Sequence, residues 1–132
     1  MKALMMLLLA LSLPALAAAQ EDDKSVPKVS YVTMVPAFVG NFGNGPRMKF
    51  YKADISLRVP NAEVEAKVKH HEPLIRNQLV MLFSQQTDEA MSAPGAREAL
   101  RMEALKQVQS VLTEEEGLPL VEDLLFNNLI VQ

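Results

Sequence analysis

The chain of 132 residues contains no cysteine at all. This absence excludes disulfides, thiolate zinc sites, iron–sulfur clusters and cysteine nucleophiles, although it does not fix the compartment. A strong charge of either sign is also lacking, since 13 Lys and Arg against 16 Asp and Glu leave a formal net charge of −3. Such a mild balance argues against a nucleic-acid-binding protein and against a highly charged disordered chain.

Nucleotide-binding and hydrolytic motifs are missing as well. The chain has no P-loop, no G-x-S-x-G and no H-E-x-x-H sequence, so the common signatures of phosphate binding, serine hydrolysis and zinc proteolysis are absent. The glycine-rich stretch GNFGNG at residues 40–45 lies in a predicted hairpin rather than at a strand-to-helix junction. It therefore does not predict a phosphate site. The sequence predicts no catalytic residues, no cofactor, no metal site and no enzyme.

The longest apolar run is too short to be an ordinary membrane span. The N-terminal segment 1–19 has a positive charge at Lys2, an apolar run at residues 3–13 and alanines at its end. A membrane-spanning helix needs about 20 apolar residues. Ala17 and Ala19 fit the small-residue rule of signal-peptide cleavage. We therefore expect residues 1–19 to be a cleaved signal peptide, with a short uncleaved anchor as the alternative.

The remainder of the chain predicts one folded domain. Residues 20–28, QEDDKSVPK, are polar and contain a proline, which indicates a flexible leader. Residues 29–132 contain no internal repeat and no second linker, and their number suits a single domain with a modest core.

The first half of this domain predicts an antiparallel hairpin. SYVTMVPAFVGNF is rich in β-branched and aromatic residues, with Pro36 expected at a bulge or a sheet edge. The turn sequence GNGP at residues 43–46 separates it from RMKFYKADISLRV, where apolar and polar residues alternate. One face of the second strand is apolar and predicted to be buried: Tyr51, Ala53, Ile55, Leu57 and Val59.

The period then changes to that of amphipathic helices. Asn61 is the predicted N-cap of a long helix that continues to about Phe83. Its apolar stripe recurs every three or four residues: Val64, Val68, His71, Ile75, Leu79 and Leu82. After a break with one short helical turn, we expect Ser92 to cap a second long helix with Pro94 in its first turn. Its apolar face comprises Leu100, Ala104, Leu105, Val108, Val111 and Leu112.

The final segment, LVEDLLFNNLIVQ, is apolar on both faces in its second half. Such a strand is expected to be central or covered on both sides. The predicted fold is therefore an α+β domain of order β-β-α-α-β, with long amphipathic helices packed on a small sheet.

The two histidines, His70 and His71, are the strongest candidates for chemistry. On a helix they point about 100° apart, and the positions three and four residues away hold no further probable ligand. Pro73 removes a helical hydrogen bond, so a kink there is an alternative that lets a remote carboxylate reach one ring. The favoured interpretation is a half-buried His71 and a solvated His70 rather than a metal site.

The carboxylate pairs carry weaker hypotheses. Residues 114–116, Glu-Glu-Glu, would bind calcium only weakly and are more typical of a solvated helix end. Glu122 and Asp123 point to opposite faces if they lie in a strand, so they are not expected to share a site.

Four segments give the chain a family resemblance. They are YVTMVPAFVGNF (31–42), RMKFYKADISLRV (47–59), EPLIRNQLVMLFSQQTDEAMSAPGAREALRMEAL (72–105) and LLFNNLIVQ (124–132). In this order and spacing they resemble FliL, the family of flagellar basal-body-associated proteins. The resemblance implies a stomatin-like α+β domain in the bacterial periplasm, at or near the inner membrane and the basal body. It also implies association with itself in rings and with stator and basal-body proteins, and an influence on swimming, swarming and chemotaxis.

Three functional hypotheses follow. The favoured one is a non-enzymatic component of the flagellar basal body, whose open sheet edges pair with neighbours. The first alternative is a periplasmic module that binds a small ligand or contacts lipid, and the second is a metal-dependent enzyme that uses His70 or His71. Typical family members carry a cytoplasmic tail and a full transmembrane helix, whereas residues 1–19 here predict neither. Association with the membrane is therefore expected as an alternative rather than as a direct consequence of the resemblance. No nucleic-acid partner is expected.

Overall fold

The structure, a computed structural model, describes residues 29–132. The predicted signal peptide (1–19) and the predicted flexible leader (20–28) therefore lie outside the described residues. The described elements in chain order are β1 Ser30–Phe42, β2 Lys49–Val59, α1 Ala62–His70, α2 Glu72–Ser84, α3 Asp88–Ser92, α4 Ala96–Glu116 and β3 Asp123–Val131. The three strands form an antiparallel sheet of order β1-β2-β3, which confirms the predicted α+β class.

The hairpin of β1 and β2 forms as its alternating pattern predicts. The predicted inner face of β2, from Tyr51 to Val59, is buried at every second residue. Pro36 lies in β1, which is an edge strand, at an irregularity where the pairing register shifts between Met34 and Phe38. This position suits proline because its missing N–H removes no ladder hydrogen bond there.

The helices cover one face of the sheet and close the core against it. α1 and α2 pack against β1, α4 packs against β3, and α2 packs against α4. The predicted apolar stripes provide all of the buried helical residues except Phe83: Val68, Ile75, Leu79, Leu82, Leu100, Ala104, Val108 and Leu112. The result is two layers, helices on sheet, in which the other sheet face has no covering element among residues 29–132.

The prediction of one continuous helix from Asn61 to about Phe83 is wrong, because the helix is interrupted at His71. Asn61 does cap α1, since its side-chain oxygen accepts from the Val64 N–H at 2.9 Å. Pro73 lies in the first turn of α2, where its missing N–H costs nothing, whereas inside a continuous helix it would remove a hydrogen bond. The chain therefore ends one helix and begins the next.

The predicted start of α4 is also wrong. The short helical turn forms as α3, which is capped by Thr87, and Ser92 is its last residue rather than a cap. α4 begins at Ala96 after Gly95, which adopts a left-handed conformation with φ 77°. The predicted stop is confirmed, since Gly117 ends α4 with φ 85°, a conformation that glycine adopts without steric cost.

β3 does not occupy the predicted central or doubly covered position. The sheet order places β2 in the centre and β3 at an edge. Ile130 and Val131 are consequently 43% and 40% exposed. The apolar character of this strand therefore does not come from burial on both faces. Within residues 29–132, no helix combines the length and apolar character that crossing a membrane requires.

The helix–sheet core makes a direct prediction. Leu79 is fully buried whereas its neighbour Val80 is 40% exposed, so Leu79→Ala should destabilise the domain by about 2–5 kcal/mol through lost burial and a residual cavity. Val80→Ala should change stability by less than about 0.5 kcal/mol. Urea unfolding measures both, and equal destabilisation by the two variants would contradict the described packing.

Candidate functional site: the open face of the sheet

The histidine pair sits at the junction of three helices rather than in a catalytic cleft. His71 separates α1 from α2, its side chain is 11% exposed, and its Nε2 lies 2.7 Å from Glu116 Oε2 at the end of α4. The His70 side chain is exposed, with its ring centroid 4.9 Å from that of His71. The predictions that His71 is half-buried and that His70 is solvated are both confirmed. The helix break also lets a remote carboxylate reach one ring, as the alternative required.

This contact belongs to a network in which Glu116 accepts from His71 and lies near Lys67. The hydrogen bond with His71, together with the charge of Lys67, holds the pKa of Glu116 below its ordinary value. Lys67 Nζ lies 3.9 Å from Glu116 Oε1. Between residues 29 and 132, no group of three or more His, Asp and Glu side chains is placed to hold a metal ion. Glu116, the third residue of the glutamate run considered for weak calcium binding, instead contacts His71 and Lys67.

The other predicted carboxylate pair separates as expected. Glu122 Oε1 lies 3.4 Å from Arg58 Nε, whereas Asp123 Oδ1 lies 2.5 Å from Arg101 Nη1. The two carboxylates therefore serve different neighbours and share no site.

An apolar cavity between α2, α3, α4 and the sheet is too small for a ligand. This cavity has a free volume of about 10 Å³, which is no more than a single water molecule requires. Its lining residues are Phe42, Tyr51, Phe83, Gln86, Met91, Leu100 and Leu129. The hypothesis of a ligand carrier therefore gains no support from this cavity.

The bulge on the β1 edge is held from within the molecule. Arg76 of α2 donates from Nη2 to the Pro36 carbonyl oxygen at 2.8 Å. The same guanidinium carbon lies 4.2 Å from the centroid of the Phe38 ring, a cation–π geometry. Arg76 thus satisfies a carbonyl that the irregular register leaves without a strand partner, and it fixes α2 to β1.

The edge of β3 is closed in a similar way along its first half. Arg101 of α4 donates to the Leu124 carbonyl oxygen at 3.2 Å, and Arg97 donates to that of Phe126 at 3.4 Å. A carbonyl occupied by an arginine is a poor acceptor for an added strand. The expected sheet edges are present as β1 and β3, and arginine side chains occupy single carbonyls at the β1 bulge and along this part of β3.

The face of the sheet that the helices leave uncovered carries several exposed apolar side chains. Because side chains alternate along each strand, the residues between the buried positions point to this open face. Five large apolar side chains on it are exposed: Tyr31 50%, Val35 70%, Val39 71%, Phe50 51% and Ile130 43%. Val39 and Ile130 flank Lys52 in register on the two sides of β2.

The polar groups of the open face are of two kinds. Thr33, Ser56 and Asn127 form a hydrogen-bonded row across the three strands, at 3.1 Å and 2.7 Å, and Ser56 is only 5% exposed. Lys52 and Asp54 carry opposite charges two residues apart on β2, and neither belongs to a salt bridge among residues 29–132. Contiguous exposed apolar surface with a few placed charges is typical of a protein interaction site.

Sequence reasoning did not identify this face. The signal was present in β1, where Tyr31, Val35 and Val39 occupy the positions that a half-buried strand usually fills with polar residues. The contribution of β3 required the sheet order, which periodicity does not provide.

The Glu116 contact predicts a pH dependence of stability. Because the folded-state pKa of Glu116 is lowered, its ionised form stabilises the fold above its ordinary value of 4.5, and this contribution is lost as the pH falls through the lower folded value. Glu116→Gln should therefore destabilise the domain at pH 7 by more than it does at strongly acidic pH. Urea unfolding at both pH values measures this, with the exposed Glu115→Gln as the control. Identical behaviour of the two variants would show that the His71 contact does not stabilise the fold.

Comparisons with known proteins identify the family of the chain. The family model described as "Flagellar basal body-associated protein FliL" matches residues 31–132. The flagellar protein FliL of Aquifex aeolicus (strain VF5) is 28% identical over 97 residues, covering 74% of this chain and 58% of that relative. The match thus spans somewhat more than half the length of the relative. Because the family model covers nearly all of the described domain, the chain belongs to the FliL family of flagellar basal body-associated proteins.

Proposed function

We propose that this protein is a non-enzymatic component of the flagellar motor that associates with itself and with stator and basal-body proteins. In that role it modulates motor output, and through it swimming, swarming and chemotactic behaviour. Family membership supports the flagellar basal body as its place of action.

The observation that carries the proposal is the open face of the sheet. Val35 and Val39 are 70% and 71% exposed on a strand whose opposite side chains are buried. Leaving such apolar surface in water is unfavourable unless a partner covers it in the functional state. A contact surface of this kind suits assembly with other proteins.

We propose that the domain acts in the periplasm and that residues 1–19 direct its export or hold it near the inner membrane. Ser30 pairs with Val59 at one end of the hairpin and Phe42 pairs with Lys49 at the other. The leader therefore joins the domain at the end of the sheet away from the hairpin turn. A strand of 13 residues is about 40 Å long, so Val39 and Phe50 lie well away from that junction.

A deletion strain tests the proposed function. Removing the gene should leave filaments assembled but reduce swimming or swarming, most clearly in viscous medium, because motor output rather than construction is affected. The wild-type gene should restore motility, and so should Met102→Asp, which changes a side chain 52% exposed on α4. Val39→Asp on the open face should fail to restore it.

The comparison requires equal amounts of folded protein from each gene. Normal swarming under load in a strain that lacks every family member would defeat the proposal. Full rescue by Val39→Asp would show that the open face is not the functional surface.

A further inference from the structure

We propose that the second half of the β3 edge binds an extended segment of another protein as an added strand, with a lysine or arginine of that segment beside Asp88. The surface consists of the outward backbone groups of Leu129 and Val131 and of a cleft next to α3, and we call it the edge site. This inference goes beyond the proposed function, because it assigns a second binding surface apart from the open face and states the chemistry of the segment that fits it.

The backbone of β3 directs some of its hydrogen-bonding groups away from the sheet. Phe50 and Gln132 exchange both of their backbone hydrogen bonds, at 2.7 Å and 2.9 Å. In an antiparallel pair such bonded residues alternate with residues whose N–H and C=O point the other way. The pairing register therefore turns both groups of Leu129 and Val131 to the outer edge. Within residues 29–132, no loop or side chain forms a hydrogen bond with them.

The first half of the same edge differs in this respect. The Leu124 carbonyl oxygen accepts from Arg101 at 3.2 Å and that of Phe126 accepts from Arg97 at 3.4 Å, so an added strand would first have to displace an arginine there. Beyond the irregularity in the pairing of β2 with β3, no arginine of the described domain bonds to the edge. Strand addition is therefore favoured along the second half.

A cleft adjoins this second half on the helix side of the sheet. It has a free volume of about 290 Å³, and Val131, Asp88, Met91 and Ser92 contribute to its lining. Val131 is paired with the buried Tyr51, so its side chain lies on the helix side, yet it is 40% exposed. Directly opposite residues of adjacent strands present their side chains on the same face. The residue of an added strand opposite Val131 would therefore place its side chain in this cleft.

Asp88 determines which side chain the cleft favours. Its carboxylate rests against the hairpin turn, since a Cβ on Gly43 would lie 2.6 Å from Oδ1 and one on Gly45 would lie 2.9 Å from Oδ2. The glycines of this turn thus leave room for the carboxylate and fix its place. Oδ1 has no hydrogen-bond partner in the described domain, and Asp88 belongs to no salt bridge there.

A cation completes this carboxylate. An ammonium or guanidinium group forms charge-assisted hydrogen bonds with a carboxylate, and the apolar stem of lysine or arginine can pack on Met91 and Val131 while its charged end reaches Asp88. Lys49 also lines the cleft but forms no ion pair with Asp88 among residues 29–132. The site therefore fits an extended segment that carries one basic side chain toward the helices.

This chain itself does not supply such a segment. Neither β1 nor β3 of a second copy contains a lysine or arginine, so pairing of edge strands between copies brings no cation to Asp88. Lys24 and Lys28 precede Ser30 by at most six residues and reach roughly 20 Å from it. The edge site lies farther away, because Gly40, ten residues after Ser30, is the β1 residue level with Val131, roughly 33 Å along the strand.

Amide hydrogen exchange of the full chain, followed residue by residue by NMR, tests the edge site. The probe is a short capped peptide of alternating valine and threonine with one central lysine, and a matched peptide carries glutamate in its place. At saturation the lysine peptide should slow exchange of the Leu129 and Val131 amides at least about fivefold, because they become bonded to the added strand. It should also bind about fivefold more tightly than the glutamate peptide.

Three variants separate the backbone from the charge. Val131→Pro removes an outward N–H without removing a hydrogen bond to β2, and it should abolish protection at Leu129. Asp88→Asn should remove the preference for the lysine peptide, and it keeps the test decisive if the proline variant does not fold. Glu89→Gln, an exposed neighbour on α3 that loses the same charge, should keep that preference.

The remaining outcomes overturn the proposal. Equal affinity for the two peptides, or a preference for glutamate, would contradict the role of Asp88. No protection of Leu129 and Val131 at any peptide concentration would remove the edge site. Protection that arises without peptide and increases with protein concentration would place a second copy there instead. None of these results bears on the open face, which the motility rescue with Val39→Asp tests separately.

Discussion

The whole architecture depends on β2, the central strand. It is paired on both sides, and Ala53, Ile55, Leu57 and Val59 of its inner face have no exposed surface. The amphipathic helices bury that face with their apolar side chains. All of them pack on the same side of the three-stranded sheet. The other side therefore remains uncovered among the described residues, and its apolar and charged side chains form the surface that we propose the domain uses to meet its neighbours.

The sequence predicts those features that local periodicity determines. The alternation in β2 and the stripe containing Leu79 identify the core, and Asn61 identifies the start of α1, because these signals depend only on nearby residues. Strand order depends on contacts between distant segments, so the edge position of β3 was mispredicted as central or covered. The apolar residues of LLFNNLIVQ were attributed to burial on both faces, whereas Ile130 contributes to the open face.

The candidate site shows the same division. His71 was correctly expected to be half-buried and His70 to be solvated. A sequence alone does not reveal that Glu116, at the end of another helix, is the partner of His71. The arginine contacts at the two sheet edges were equally invisible, since each joins a helix to a strand carbonyl far away in the chain. Tertiary placement, rather than residue type, turns these side chains into the groups that occupy single carbonyls at the edges and leave the face open.

In-cell crosslinking tests most directly whether this protein acts through the open face of its sheet. Because the natural chain has no cysteine, single cysteines report one position each, on the face at Val39→Cys and Ile130→Cys and on α4 at Met102→Cys and Lys106→Cys. We predict that oxidative or short bifunctional crosslinking in motile cells captures neighbours from the two face positions and much less from the two α4 positions. Crosslinks that arise from α4 and are absent from the sheet face would contradict the account.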